Sequence, residues 1–171
     1  MKLAKILPYE NFTFTSKLPL NVVMDRLTKN VSPKSTNLFS FNRDLSKPYT
    51  GIILANSFEI SRVINYKNSF LPNINGTIST FLGKTEIAIK MKPFTMVIVF
   101  MAIWLGIVGF ACFGVIGYYL LNINSILSFN FFTIVPFVMF IFGCLLVSIP
   151  FRLEANKSKA FLLQLLEGEI F

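Results

Sequence analysis

The sequence predicts an α+β protein: a small, mostly antiparallel sheet with one or two helices, plus a two-helix transmembrane hairpin. Three observations carry this prediction. Between Pro93 and Phe151 there is no Asp, Glu, Lys, Arg or His, in a chain of only 171 residues. So short a chain builds no core able to hide such a run, and lipid is the simpler host. Ahead of that block, apolar and polar residues alternate with the period of two that marks half-buried strands. Two other stretches, one near each end of the chain, repeat their apolar residues at helical spacing.

The elements follow in order. Asn11–Ser16 alternates Phe12 and Phe14 with polar residues and reads as a strand. Ser16 is placed to cap a helix with Pro19 in its first turn, where a missing N–H does no harm. Leu20, Val23, Leu27 and Val31 give that helix one apolar face, and "SPKSTN" ends it. The stretch 32–48 is rich in Ser, Asn, Pro and Lys and reads as a long loop. Its Phe39 and Phe41, two apart, either dock on the core together or form a short edge strand. Strands resume at Tyr49 with "YTGIILAN" and "SFEISRVINY", and Asn56-Ser57 marks either a turn between two strands or a bulge within one. "FLPNING" is turn chemistry: Pro72-Asn73 suits a tight turn and Gly76 allows positive φ. "GTISTFL" and "KTEIAIKM" pair as a hairpin across Gly83-Lys84, with Ile87, Ile89 and Met91 on one face.

The apolar block divides into spans of about 94–121 and 131–150, each long enough at 1.5 Å per residue to cross the hydrocarbon. Gly106, Gly109, Gly114 and Gly117 recur along the first at near small-residue spacing and are candidates for span packing. Trp104 lies deep inside it, whereas Tyr118 and Tyr119 suit the far interface. Pro136 lies near the start of the second span and Gly143 at its centre. The uncharged linker "NINSILSFN" has thirteen of the sixteen Lys and Arg before the block and three after it, so both termini are expected on the cytoplasmic side. In the tail, Phe161, Leu162, Leu165 and Leu166 form a stripe, with Gly168 as a plausible helix end. That amphipathic helix is expected to fold back on the sheet, which otherwise leaves a face uncovered. The domains are then 1–92, cytoplasmic α+β; 93–151, transmembrane hairpin; and 152–171, cytoplasmic helix packing on the first.

Composition narrows function. The net charge is +8, but the basic residues are spread out rather than set in a stripe with interleaved aromatics, so nucleic acid is not an expected partner. Cytoplasmic flanks of a membrane hairpin, or an anionic lipid surface, account for the charge. The two cysteines, Cys112 and Cys144, both lie in the apolar block, with no metal-ligand spacing. The chain has no His, no phosphate-binding or dinucleotide fingerprint and no nucleophile elbow. No catalytic residue, metal ligand or cofactor is nominated, and an enzyme is not expected. "MKLAKILPYENF" breaks its apolar run at Pro8 and Glu10 and is not read as a cleavable leader. The Asn-X-Ser/Thr matches at Asn11, Asn30 and Asn75 are read as chance. The spans hold no charged residue of the kind that marks ion or proton paths. An oligomeric pore would draw its polar lining from Asn122, Asn124, Ser125 and Ser128.

The sharpest candidate site is Arg62, with Tyr66, Asn68 and Ser69. Strand parity from Phe58 and Ile60 carries Arg62 onto the apolar side, where a guanidinium needs a partner. That partner is an anionic ligand or, in the plainer alternative, Glu154 of the tail or solvent at the sheet edge.

"FEISRVINYKNSFLPNINGTI", "TEIAIKMKPF" and "FRLEANKSKAFLLQLLEGEI" together resemble a set of uncharacterised small bacterial two-span membrane proteins with a β-rich N-terminal cytoplasmic segment. The likeness covers about Phe58 to Glu167. It implies architecture and a bacterial inner-membrane setting, but no mechanism. In layout alone the chain is also similar to bacterial membrane proteins that join a two-span hairpin to a pleckstrin-homology-like sheet with a terminal helix. The expected role is a sensor, scaffold or accessory subunit whose partners are the bilayer and a protein or a second copy of the chain. The alternative is an oligomeric membrane effector or channel.

Overall fold

The computed structural model describes residues 8–33, 46–66, 68–81, 83–122 and 130–170. The chain is α+β and divides into two compact units, one built on Thr95–Ile149 and the other on Pro8–Phe94 together with the segment from Pro150 onward.

The second unit is a seven-stranded sheet. Its strands are β1 (Glu10–Ser16), β2 (Val31–Pro33), β3 (Tyr49–Leu54), β4 (Ser57–Arg62), β5 (Asn73–Phe81), β6 (Lys84–Lys92) and β7 (Gly168–Ile170), in the order β2-β3-β4-β5-β6-β1-β7. Every neighbouring pair is antiparallel except β2–β3. The β3–β4 connection is a two-residue hairpin at Ala55-Asn56, which settles the choice between turn and bulge. The β5–β6 hairpin closes one residue earlier than Gly83-Lys84, since Lys84 already pairs with Phe81, and Gly83 takes φ 76° in the turn. Pro72 precedes β5, and Asn73 belongs to the strand rather than to a tight turn.

Two helices cover one face of the sheet. Helix α1 (Leu20–Asn30) buries Val23 and Leu27. The C-terminal part of α3 (Val135–Leu165) buries Phe151, Ala155 and Leu162 against Phe14, Phe58, Ile60, Ile74, Ile87 and Met91. The alternation in β6 delivers Ile87, Ile89 and Met91 to this face and Glu86, Ala88 and Lys90 to the other. Ser16 does not cap α1, whose N-cap position is Pro19; the Pro19 carbonyl accepts from the N–H groups of Val22 and Val23. The Ser16 hydroxyl instead accepts from Leu18 N–H and donates to the Leu166 carbonyl at 2.5 Å. Val31 ends the helical stripe by entering β2. The tail helix stops at Leu165, before Gly168, and Gly168 opens β7 against β1. Arg26 of α1 donates to the Leu165 carbonyl and to Glu167, both at 2.8 Å, and so satisfies the end of α3 from outside. Phe39 and Phe41 lie outside the described residues.

The other unit holds α2 (Thr95–Leu121) and the first part of α3, preceded by a 3₁₀ turn at Phe131–Ile134. Both helices are long and apolar enough to cross a membrane. Only 11% and 17% of their most apolar windows are buried, whereas a core helix of a soluble protein hides such a surface. Thus the second span and the tail helix, expected as separate pieces, are one element, with Pro150 inside it at the boundary of the two units. The Pro150 ring removes one N–H from the helical ladder there.

Of the four glycines expected to pack the spans, Gly109 alone faces α3, where Phe140 lies 3.5 Å from the position of an added Cβ. Gly106, Gly114 and Gly117 have open space beside them. The close approach falls instead at Gly143, where a Cβ would meet Leu105 at 3.0 Å. Asn124, Ser125 and Ser128 lie outside the described residues.

Candidate functional site

Strand β4 ends at Arg62, on the same face as Phe58 and Ile60. Four residues on, Tyr66 turns back toward the covering helix. On α3, the residues facing the sheet recur as Phe151, Glu154, Ala155, Ser158 and Leu162, all buried. Glu154 is therefore carried by helical periodicity onto an apolar face, and its side chain is 3% exposed. A carboxylate in that position survives only if its lone pairs are satisfied. Arg62 Nη1 donates to Glu154 Oε2 at 2.7 Å. Tyr66 O–H donates to Oε1 at 2.5 Å, and Lys157 Nζ to the same oxygen at 2.9 Å.

The electrostatics follow from this geometry. Burial pushes the Glu154 carboxyl up, but the hydrogen bonds from Tyr66, Lys157 and Arg62 outweigh it and hold the group below the usual carboxylate range. The bond to Glu154 raises the Tyr66 phenol, because ionising it would remove the donor. Burial raises the phenol of Tyr49, whose ring packs tilted against that of Phe161 with centroids 4.9 Å apart. The Tyr49 phenol is also influenced by Ser158, whose fully buried hydroxyl lies outside ordinary hydrogen-bond geometry to any partner among the described residues.

The structure thus brings together two of the four candidate residues, Arg62 and Tyr66, on a carboxylate supplied by the tail. It does not bring in Asn68, whose side chain accepts from Phe70 N–H and shapes its own turn. Ser69 is exposed in that turn. Lys157 was not singled out in the sequence, although its spacing of three from Glu154 on a helix was a usable signal. With three donors committed, Glu154 is not a free base, and the cluster holds a helix to a strand end. Among the described residues no group of three His, Cys, Asp or Glu is placed to hold a metal.

The second feature is the uncovered face of the sheet. Its side chains are mostly polar, with Ile52 and Leu54 of β3 exposed among them at 50% and 60%. One cross-strand row runs Thr13, Ala88, Thr77, Ser57, Leu54, and the next runs Asn11, Lys90, Asn75, Glu59, Ile52. Asn73 donates to Glu59 on this face at 2.9 Å. A pit on this face of about 50 Å³, lined by Thr50, Glu59, Ser61, Asn73 and Phe94, is too small for a metabolite. Compared with family models, curated proteins and solved structures, the chain shows no match.

Proposed function

We propose that this is a non-enzymatic integral membrane protein of the bacterial inner membrane, with both termini cytoplasmic. Its sheet unit acts as a sensor, scaffold or accessory subunit by docking a protein partner on the uncovered sheet face. The observation that carries this reading is the asymmetry of the sheet: two helices seal one face, and the other is left open, its polar rows ending in the exposed apolar side chains of Ile52 and Leu54. Exposed apolar side chains set beside short polar ones give a partner surface something to bury. The charge-free hairpin with basic flanks supports the membrane setting and the orientation. The saturated state of Glu154 supports a positioning role for Arg62 rather than ligand capture.

The test is a photo-crosslinker at Thr77 in full-length protein in cells, followed by purification in mild detergent. The expected result is one saturable adduct, with binding of that partner weakened at least about tenfold by Thr77→Arg while thermal stability is unchanged. Partner binding that ignores Thr77→Arg sinks this reading.

One observation favours the second reading, an oligomeric effector or channel: Gly106, Gly114 and Gly117 are not used in packing α2 on α3. They remain available for a helix of another copy. Under that reading Gly114→Leu dissociates oligomers in native mass spectrometry and removes any vesicle conductance. A monomeric wild type rules it out.

A further inference from the structure

Within the sheet unit, both junctions to the apolar hairpin lie at one end of the sheet. Strand β6 runs out through Lys92 to Phe94, the last residue of the unit before α2. Helix α3 enters the unit at Pro150, passes Glu154 beside Arg62 and finishes at Leu165, one residue before the Leu166 carbonyl that accepts from Ser16 at the opposite end of β1. The antiparallel register places the last residues of β4 and β6 and the first of β1, β3 and β5 on the junction end.

The composition of that end is uneven. It carries Arg62, Lys92, Arg152 and Lys157, whereas its carboxylates are already engaged: Glu154 is buried under Arg62 and Lys157, Glu10 is paired with Lys159 at 3.3 Å, and Glu59, in a pit shared with Phe94, accepts from Asn73 at 2.9 Å. Neither Lys92 nor Arg152 has an acidic partner among the described residues. Three aromatic side chains are exposed at the same end: Tyr9 at 47%, Tyr66 at 53% and Phe94 at 40%. Unpaired cations interleaved with exposed Tyr and Phe match a bilayer's headgroup layer, where rings sit at the polar–apolar boundary and cations meet lipid phosphates.

We infer that this end of the sheet unit is a docking surface for anionic phospholipid headgroups, contacted by Lys92 and Arg152 and flanked by Tyr9, Tyr66 and Phe94. The inference rests on the membrane reading of the hairpin and is independent of the partner proposed for the uncovered sheet face. It adds a chemical preference that a hairpin alone does not supply, because the spans carry no charge to discriminate between headgroups.

The full-length chain, reconstituted in mixed phosphatidylcholine–phosphatidylglycerol vesicles, tests it. Flotation on a density gradient reports insertion, and nitroxide-labelled lipids report which headgroup is held at the protein. The expected result is a preference for phosphatidylglycerol of about fivefold, close to what one surface cation confers, and its loss in high salt. Lys92→Gln with Arg152→Gln should bring the preference close to unity. Lys92→Arg with Arg152→Lys should retain it, which separates charge from a merely structural effect. Lys84→Gln, at the far end of β6, should leave it unchanged. Protein that floats but holds the two lipids equally overturns this inference alone. Protein absent from the floated fraction overturns it together with the membrane reading.

Discussion

Glu154→Ala lowers the stability of the sheet unit by about 2–3 kcal/mol, read as a drop of roughly 10 °C in the unfolding midpoint of detergent-solubilised protein. Breaking a buried ion pair from one side typically costs about 3–5 kcal/mol, because the remaining group keeps its desolvation penalty. The lower figure applies here because Arg62 is 33% exposed and regains some water when its partner is lost. Glu154→Gln keeps an acceptor for Tyr66 and falls between wild type and Ala. The same carboxylate gives a pH signature. Its folded-state pKa is depressed, so its contribution is complete above the ordinary glutamate range and is lost as pH falls through the folded value. Glu169 is also depressed, by its pairing with Lys17. The acid limb of the stability curve should therefore be assigned from Glu154→Gln and Glu169→Gln side by side. An acid limb in Glu154→Gln as steep as that of wild type would show that the cluster does not behave as described.

Gly51→Ala costs still more, about 3 kcal/mol or above, and Gly76→Ala follows it. The two glycines fail for different reasons. A Cβ on Gly51 would lie 2.0 Å from the backbone carbonyl oxygen of Glu59 and 2.7 Å from the Cα of Ile60, so strands β3 and β4 would have to separate. A Cβ on Gly76 would lie 2.1 Å from the ring of Phe58, which covers the glycine from the paired strand. A ring can turn away and a backbone cannot. Phe58→Leu should therefore rescue part of the Gly76→Ala defect, whereas no side-chain change on β4 rescues Gly51→Ala. Gly76 has no need of the positive φ that its setting among turn residues suggested. The measurement is the unfolding free energy of the two single variants and the Gly76→Ala/Phe58→Leu pair. Additive losses in that pair would remove the steric account.

Much of the sheet was legible because its burial is one-sided. Ile87, Ile89 and Met91 alternate with Glu86, Ala88 and Lys90, and a one-residue slip would expose the whole set. The same parity placed Arg62 on the apolar side. Strands β2 and β7 were not legible. Each has three residues, too few to show a period, and each is defined only by the neighbour it pairs with. The hidden half of the candidate site was Lys157, whose role depends on which way Glu154 points.

The sequence by itself determined that the chain carries an apolar hairpin with basic flanks, a half-buried sheet and an amphipathic tail. Composition and period are local properties, and they survive without coordinates. Only the tertiary structure decided that the tail continues the second apolar helix as one element and that Glu154 pairs with Arg62 across 92 positions. It also decided that the glycines at the α2–α3 contact are Gly109 and Gly143 rather than the full row on α2. These outcomes depend on which faces meet at close range, and the energies that select among them arise only once distant segments share a desolvated contact.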